Sequence, residues 1–305
     1  MLERKYMITA KNYAAKAQRD MYSVIKHFER RGWEVDAGSL SMIVNSIDEA
    51  VHFSLPEKGV LFQTDLRSIS DQHIRLPFPK VTLEFDLPVD NFGSKCVIVA
   101  QEVNKTELQD YRKLNIDSDI VILVITIAYN TNFNQWATLP YCYAIPSSWN
   151  DSVDDGDPLS FKPICLTMLP NMEKELITQT GNGERLSRAF ANYNSGIVLG
   201  FIEALSCSNI TFEPINKINP LKNEKRVKSG KLPIFETNVL TIKTPLNRKV
   251  TNNDTTGLTK NSPREHLRRG HIRRLDENRK IWVNACVVNA GSKNGKIVKS
   301  YNIIK

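Results

Sequence analysis

Two runs of largely β-branched and apolar residues, Cys96–Val103 and Ile120–Tyr129, constrain the fold more than any other feature of the chain. A membrane helix needs roughly twenty consecutive apolar residues. Ile120–Tyr129, the longest candidate, has the length of a strand, so no transmembrane segment is expected. Side chains branched at Cβ lose rotamer freedom in a helix and pack well on a pleated surface, so both runs read as central strands. Val81-Thr82-Leu83-Glu84-Phe85-Asp86-Leu87 alternates apolar and polar residues, the pattern of a strand buried on one face, and Leu76-Pro77-Phe78-Pro79 fixes its entry. Trp136–Ile145 and Phe161–Leu169 continue the pattern between proline and glycine breaks, giving roughly five strands between Val81 and Leu169.

Helical periodicity flanks this block. Tyr13, Ala17, Met21, Val24 and Phe28 recur at three- and four-residue spacing, predicting a helix from about Ile8 to Arg31 that Gly32 ends. A shorter helix is expected around Ser41–His52, with Ile43, Val44, Ile47 and Val51 on one side. Another is expected over about Glu184–Ser206, with Phe190, Tyr193, Ile197, Phe201 and Leu205 on a common face. The fold class expected is therefore α+β: N-terminal helices, a central mostly β sheet with a later packing helix, and a basic β-rich C-terminal unit.

Charge divides the chain more sharply than the net of +8 suggests. Residues 1–220 hold 21 Lys+Arg against 27 Asp+Glu, and residues 221–305 hold 20 against 6. An acidic α/β body (1–220) thus carries a basic C-terminal region (221–305), the asymmetry expected where one part of a chain meets a polyanion. In the second part Asn219–Lys231 reads as a polar, basic stretch that is ordered only if something packs on it. Ile234–Ile242 reads as a strand and Thr244–Ser262 as a polar loop. Trp282–Val288 is expected to form a hairpin with Lys296–Ile303 around Asn289–Gly295.

The five cysteines, Cys96, Cys142, Cys165, Cys207 and Cys286, are odd in number and sit mostly within apolar runs. Buried, reduced thiols are expected. The first twenty residues lack the apolar centre and cleavage site of a secretory signal. Together these point to the cytoplasm.

The densest chemistry lies in Ser262–Arg274, which holds five arginines and two histidines in thirteen residues. Guanidinium groups grip phosphate in a bidentate fork, and imidazoles beside them can donate hydrogen bonds or move protons. Arg264, Arg268, Arg269, Gly270, Arg273 and Arg274 are therefore candidate nucleic-acid contacts, and His266 and His271 are candidate catalytic groups. A solvated basic loop is the alternative. The two histidines are five residues apart, where a helical zinc pair needs four, and Cys286 on an apolar strand reads as core, so no metal site or cofactor is expected. Aromatic residues are few in this region, namely Phe235, Trp282 and Tyr301, so duplex or backbone contact suits it better than single-strand stacking.

Three other motifs fail on their spacing. Asp151, Asp154, Asp155, Gly156 and Asp157 resemble a calcium loop in composition, yet Lys162 stands where a bidentate Glu should close it. Glu102-Val103-Asn104-Lys105 puts two residues between carboxylate and lysine where a metal-dependent nuclease strand has one. Gly181-Asn182-Gly183 precedes a helix without the lysine of a phosphate loop.

The strings LSCSNI, KRVKSGKLPIFETNVLTI, HLRRGHIRRL, KIWVNACVV and GKIVKSYNI resemble a recurrent group of uncharacterised phage and prophage proteins. That group ends in an Arg-Gly-His-x-Arg motif, a tryptophan strand and a Lys-x-Tyr strand. The resemblance covers roughly residues 200–305 and, more loosely, LPFPKVTLEF. It singles out Arg269, Gly270, His271, Arg273, Trp282, Lys299 and Tyr301, and it implies a phage setting without a mechanism. The expectation is a phage-type accessory protein that binds DNA or RNA through its basic C-terminal region and no membrane. The alternatives are a nuclease or phosphotransfer enzyme using His266 or His271, and an interaction module that docks on a host protein.

Overall fold

The computed structural model describes residues 10–61, 74–90, 93–108, 118–148, 153–154, 157–161, 163–180, 183–243, 266–268, 271–276, 279–283 and 286–288. The fold is α+β. Its helices are α1 (Tyr13–Arg30), α2 (Glu34–Glu49), α3 (Pro170–Thr180), α4 (Gly183–Leu205) and α5 (Pro220–Lys228). The large mixed sheet contains β1 (Val51–Ser54), β2 (Lys80–Asp90), β3 (Gly93–Asn104), β4 (Ile120–Asn130), β5 (Gln135–Thr138) and β6 (Tyr141–Pro146). It is completed by β9 (Ile164–Thr167), β10 (Ile210–Pro214) and β11 (Thr237–Ile242). A short pair, β7 (Val153–Asp154) and β8 (Asp157–Phe161), stands apart from it. The strand order is β10-β11-β1-β2-β3-β4-β6-β9, with β5 pairing β4 beyond the end of β6. β1 runs parallel to both β2 and β11, and the β2-β3-β4-β6-β9 stretch is antiparallel.

The apolar runs are explained by burial of both faces. Val97, Val99, Val121, Leu123, Ile125 and Ile127 pack in one core with α1 and α2. Leu83, Phe85, Ile98, Ile122 and Val124 pack in a second core with Ile197 and Phe201 of α4. Contact density divides the chain into a first unit, residues 1–205 and 212–240, and a second, residues 206–211 and 241–305. The segment 221–240, basic in composition, thus packs with the first unit. The second unit still holds 15 Lys+Arg against 4 Asp+Glu.

Two carboxylates organise the first unit. Glu84 is fully buried and accepts the backbone N–H groups of Tyr13 (3.1 Å) and Ala14 (2.8 Å), closing the N-terminus of α1 from the sheet. Burial raises its pKa, against the pull of those amides and of Lys11 and Lys16. Asp36 of α2, also fully buried, accepts from the N–H of Asn171 (3.2 Å) and Met172 (2.9 Å) and so caps α3. A helix N-terminus exposes unpaired N–H groups and a positive dipole end, and a carboxylate satisfies both.

α2 begins at Glu34 rather than near Ser41. Gly38 and Ser41 look like breakers in the sequence, but a side chain at Gly38 would meet nothing, the Ser41 hydroxyl bonds the Ala37 carbonyl, and Glu34 and Asp36 suit the first turn. His52, expected at the end of that helix, lies in β1. α1 ends as expected, with Gly32 at φ 70° in the left-handed conformation that follows many helices. Cys96, Cys142 and Cys207 are buried and unbridged, whereas Cys165, though it sits in an apolar string, is exposed on β9 at the sheet edge. No helix among the described residues is long and apolar enough to cross a membrane.

Candidate nucleic-acid interface

The described parts of the basic string, for which a solvated loop is the alternative reading, form strands. β12 (His266–Arg268) pairs antiparallel with β15 (Cys286–Val288), and β13 (His271–Asp276) pairs antiparallel with β14 (Arg279–Val283). From Arg268↔Cys286 to His271↔Val283 both strands advance by three residues, so the two ladders keep one register. The apolar and β-branched members Ile272, Ile281, Trp282 and Val283 supply the strand propensity that the arginines mask.

Alternation along β13 assigns its arginines to opposite faces. Arg273 stands opposite Ile281, and Arg274 stands opposite Lys280 beside the Ile272–Trp282 pair. Both arginines are exposed, and Arg273 has no ion-pair partner among the described residues. Asp276 pairs with Arg279 at 3.3 Å across the closed end. Lys280 is buried and Trp282 half-buried.

The outer edge of β14 is held by the segment 207–209. The Lys280 carbonyl accepts from the backbone N–H (2.9 Å) and the hydroxyl (3.1 Å) of Ser208. The side chain of Asn209 donates to the Trp282 carbonyl (2.8 Å) and accepts from the Trp282 N–H (2.7 Å). One amide thus imitates a neighbouring strand. β13 has no strand on its other edge among the described residues.

The sequence candidates therefore divide. Arg273 and Arg274 are placed in full, while His266, Arg268 and His271 are placed by their strands alone. Arg264, Arg269, Gly270, Lys299 and Tyr301 lie outside the described residues, as does Lys296–Ile303. The described pairing of Trp282–Val288 is with residues 266–272, and the expected hairpin with Lys296–Ile303 falls outside the described residues. The anchoring role of Ser208 and Asn209 is missed by sequence reasoning, because a two-way amide clamp has no spacing signature.

His52 and Glu102 of the first unit are occupied structurally. His52 is stacked on Phe235 with ring centroids 4.2 Å apart, and its Nδ1 lies 2.6 Å from the Thr82 hydroxyl. Burial lowers its pKa to about 4, so the ring is neutral at physiological pH. Glu102 binds Arg75 through both oxygens and also accepts from the Leu76 N–H. No group of three His, Cys, Asp or Glu able to hold a metal occurs among the described residues. The first unit also carries an open cleft of about 480 Å³, where Arg31 stacks on Trp33 at 3.7 Å and pairs with Glu175 at 2.7 Å. Comparison with protein-family models, with curated proteins and with solved structures finds no match.

Proposed function

We propose that this is a phage-type accessory protein that binds nucleic acid through the basic ribbon of its second unit. The observation that carries the reading is the antiparallel ribbon with exposed Arg273 and Arg274 on a strand that has no neighbour along its other edge among the described residues. A two-stranded ribbon fits the major groove of a duplex, and arginines on both of its faces reach phosphates on either side. The excess of 15 basic over 4 acidic residues in this unit supplies the sequence-independent attraction. The phage setting rests on the sequence resemblance.

The test is fluorescence anisotropy with labelled duplex DNA, single-stranded DNA and RNA at two salt concentrations, with a divalent metal present in parallel samples to expose cleavage. Arg273→Ala combined with Arg274→Ala should weaken binding and flatten the dependence of log K on log salt by up to about two units, near 0.9 per lost phosphate contact. An unchanged affinity and slope would place the contact elsewhere. Turnover that vanishes in His271→Ala while binding persists would replace the proposal with an enzyme.

A further inference from the structure

The segment around α5 stands out because it is ordered without a core. Between Lys217 and Lys231 the chain holds six Lys or Arg residues and one acid, Glu224. α5 has no buried residue, and a helix of nine residues does not hold itself in water. Polar bonds fix it instead. Asn219 caps it by accepting from the Lys222 N–H, and Pro220 follows at the first helical position. Asn223 clamps Ile234 in both directions, donating to its carbonyl (3.1 Å) and accepting from its N–H (2.9 Å). Arg226 donates to the Leu232 carbonyl at 2.6 Å. The clamped segment is in turn held by Asn12, which grips Pro233 and Phe235, and by Asn216, which grips Phe235 and Thr237.

What this element turns outward is mostly charge, with Leu221 and Val227 exposed beside it. Lys217, Lys222, Lys225 and Lys231 are exposed and have no ion-pair partner among the described residues, while Lys228 pairs with Glu224 at 2.6 Å. Lys222 and Lys225, and again Lys225 and Lys228, are three residues apart on the helix, a spacing at which like charges repel. An array of cations held apart from any internal counter-charge is complementary to a chain of phosphates. We infer that α5 and the residues flanking it form a second contact surface, on the first unit, for the phosphate backbone of duplex DNA. The inference rests on the nucleic-acid reading above and adds a site outside the ribbon.

The test compares the intact protein with Lys222→Gln/Lys225→Gln/Lys231→Gln, whose side chains support no described contact, and with the corresponding triple Lys→Arg variant. Melting curves confirm that each is folded. Against one labelled duplex over a salt series, the Gln variant should lose affinity about tenfold or more at low salt and flatten the salt slope by up to about three units, and the Arg variant should retain both. A Gln variant that binds like the intact protein, while Arg273→Ala/Arg274→Ala loses affinity, makes α5 a solvated face and leaves the ribbon reading standing. A protein that binds no duplex DNA even at low salt overturns this inference, and one that binds neither DNA nor RNA overturns both readings. If the Gln variant loses binding only to phosphatidylserine vesicles and not to DNA, the partner is a lipid surface and the inference fails.

Discussion

The two units spend charge in opposite ways. In the first, certain carboxylates serve the fold: Glu84 and Asp36 are fully buried and each closes the N-terminus of a helix from another element, and Asp20 accepts the N–H of Trp136. In the second, arginines stand exposed on a ribbon that is anchored through backbone carbonyls and an amide clamp. An acid that binds backbone N–H groups belongs to the fold and contributes little to the outward field. The Arg273 guanidinium, exposed and without an ion-pair partner among the described residues, is available to a ligand. Counting charges along the chain cannot separate these cases, and mutation can.

The largest effect is expected at Glu84. Glu84→Ala leaves two helix N–H groups buried without an acceptor, and should destabilise the protein by about 3 kcal/mol. Glu84→Gln, which keeps one carbonyl oxygen for the same amides, should cost about 1 kcal/mol. Urea denaturation measures both. DNA affinity of the folded fraction should be unchanged, and a loss of affinity at full stability would show that the body's acids matter to binding.

Acid should next expose His52. Its folded pKa of about 4 lies below the ordinary 6.5, so between those values the unfolded state binds more protons than the folded one. Stability from the neutral ring is complete above about pH 6.5 and falls as pH drops toward 4, by roughly 3 kcal/mol at most. Glu84 acts in the opposite sense, because a raised carboxyl pKa makes acidification stabilising. His52→Gln should remove the fall between pH 6.5 and 4 whatever its constant cost to stability. A variant with the same pH profile as the intact protein would assign that fall to other groups.

The body was legible because burial writes itself into the sequence. β2, β3 and β4 follow from alternation and from runs buried on both faces, and α1 follows from its apolar stripe and Gly32. α3 and α5 were not recognised. The cap of α3 comes from Asp36, about 135 residues away in sequence, so no local pattern announces it. α5 did carry a local sign, Asn219 followed by Pro220, which its run of lysines obscured. In the candidate interface the residue types were legible and their geometry was not. Arginine hides a strand's alternation, since Ile272 and Trp282 show a period of two only once their register is known.

Asn209 links legibility to energetics. Asn209→Ala removes both bonds to Trp282 and should loosen β14, at a cost of about 1–2 kcal/mol to that unit. Hydrogen exchange should accelerate at the Trp282 amide first and leave β3 and β4 of the sheet protected. Equal acceleration in both units would mean that the ribbon is not anchored through this residue.

The smallest effect separates charge as structure from charge as surface most cleanly. Asp276 pairs with Arg279 at 3.3 Å, and both side chains are more than half exposed. Exposed pairs of this kind gain modest Coulomb energy, lose side-chain freedom and are screened by salt, so Asp276→Asn should change stability by less than about 0.5 kcal/mol. In the body a lost carboxylate costs several times more because N–H groups are stranded with it. On the ribbon the same loss removes a negative charge that repels phosphate and frees Arg279 to meet one. Affinity for duplex DNA should therefore rise, by roughly two- to fivefold at low salt, and the gain should shrink as salt is added. A fall in affinity with stability unchanged would mean that the Asp276–Arg279 pair shapes the contact surface, and that the division between structural acids and free bases does not hold at the end of the ribbon.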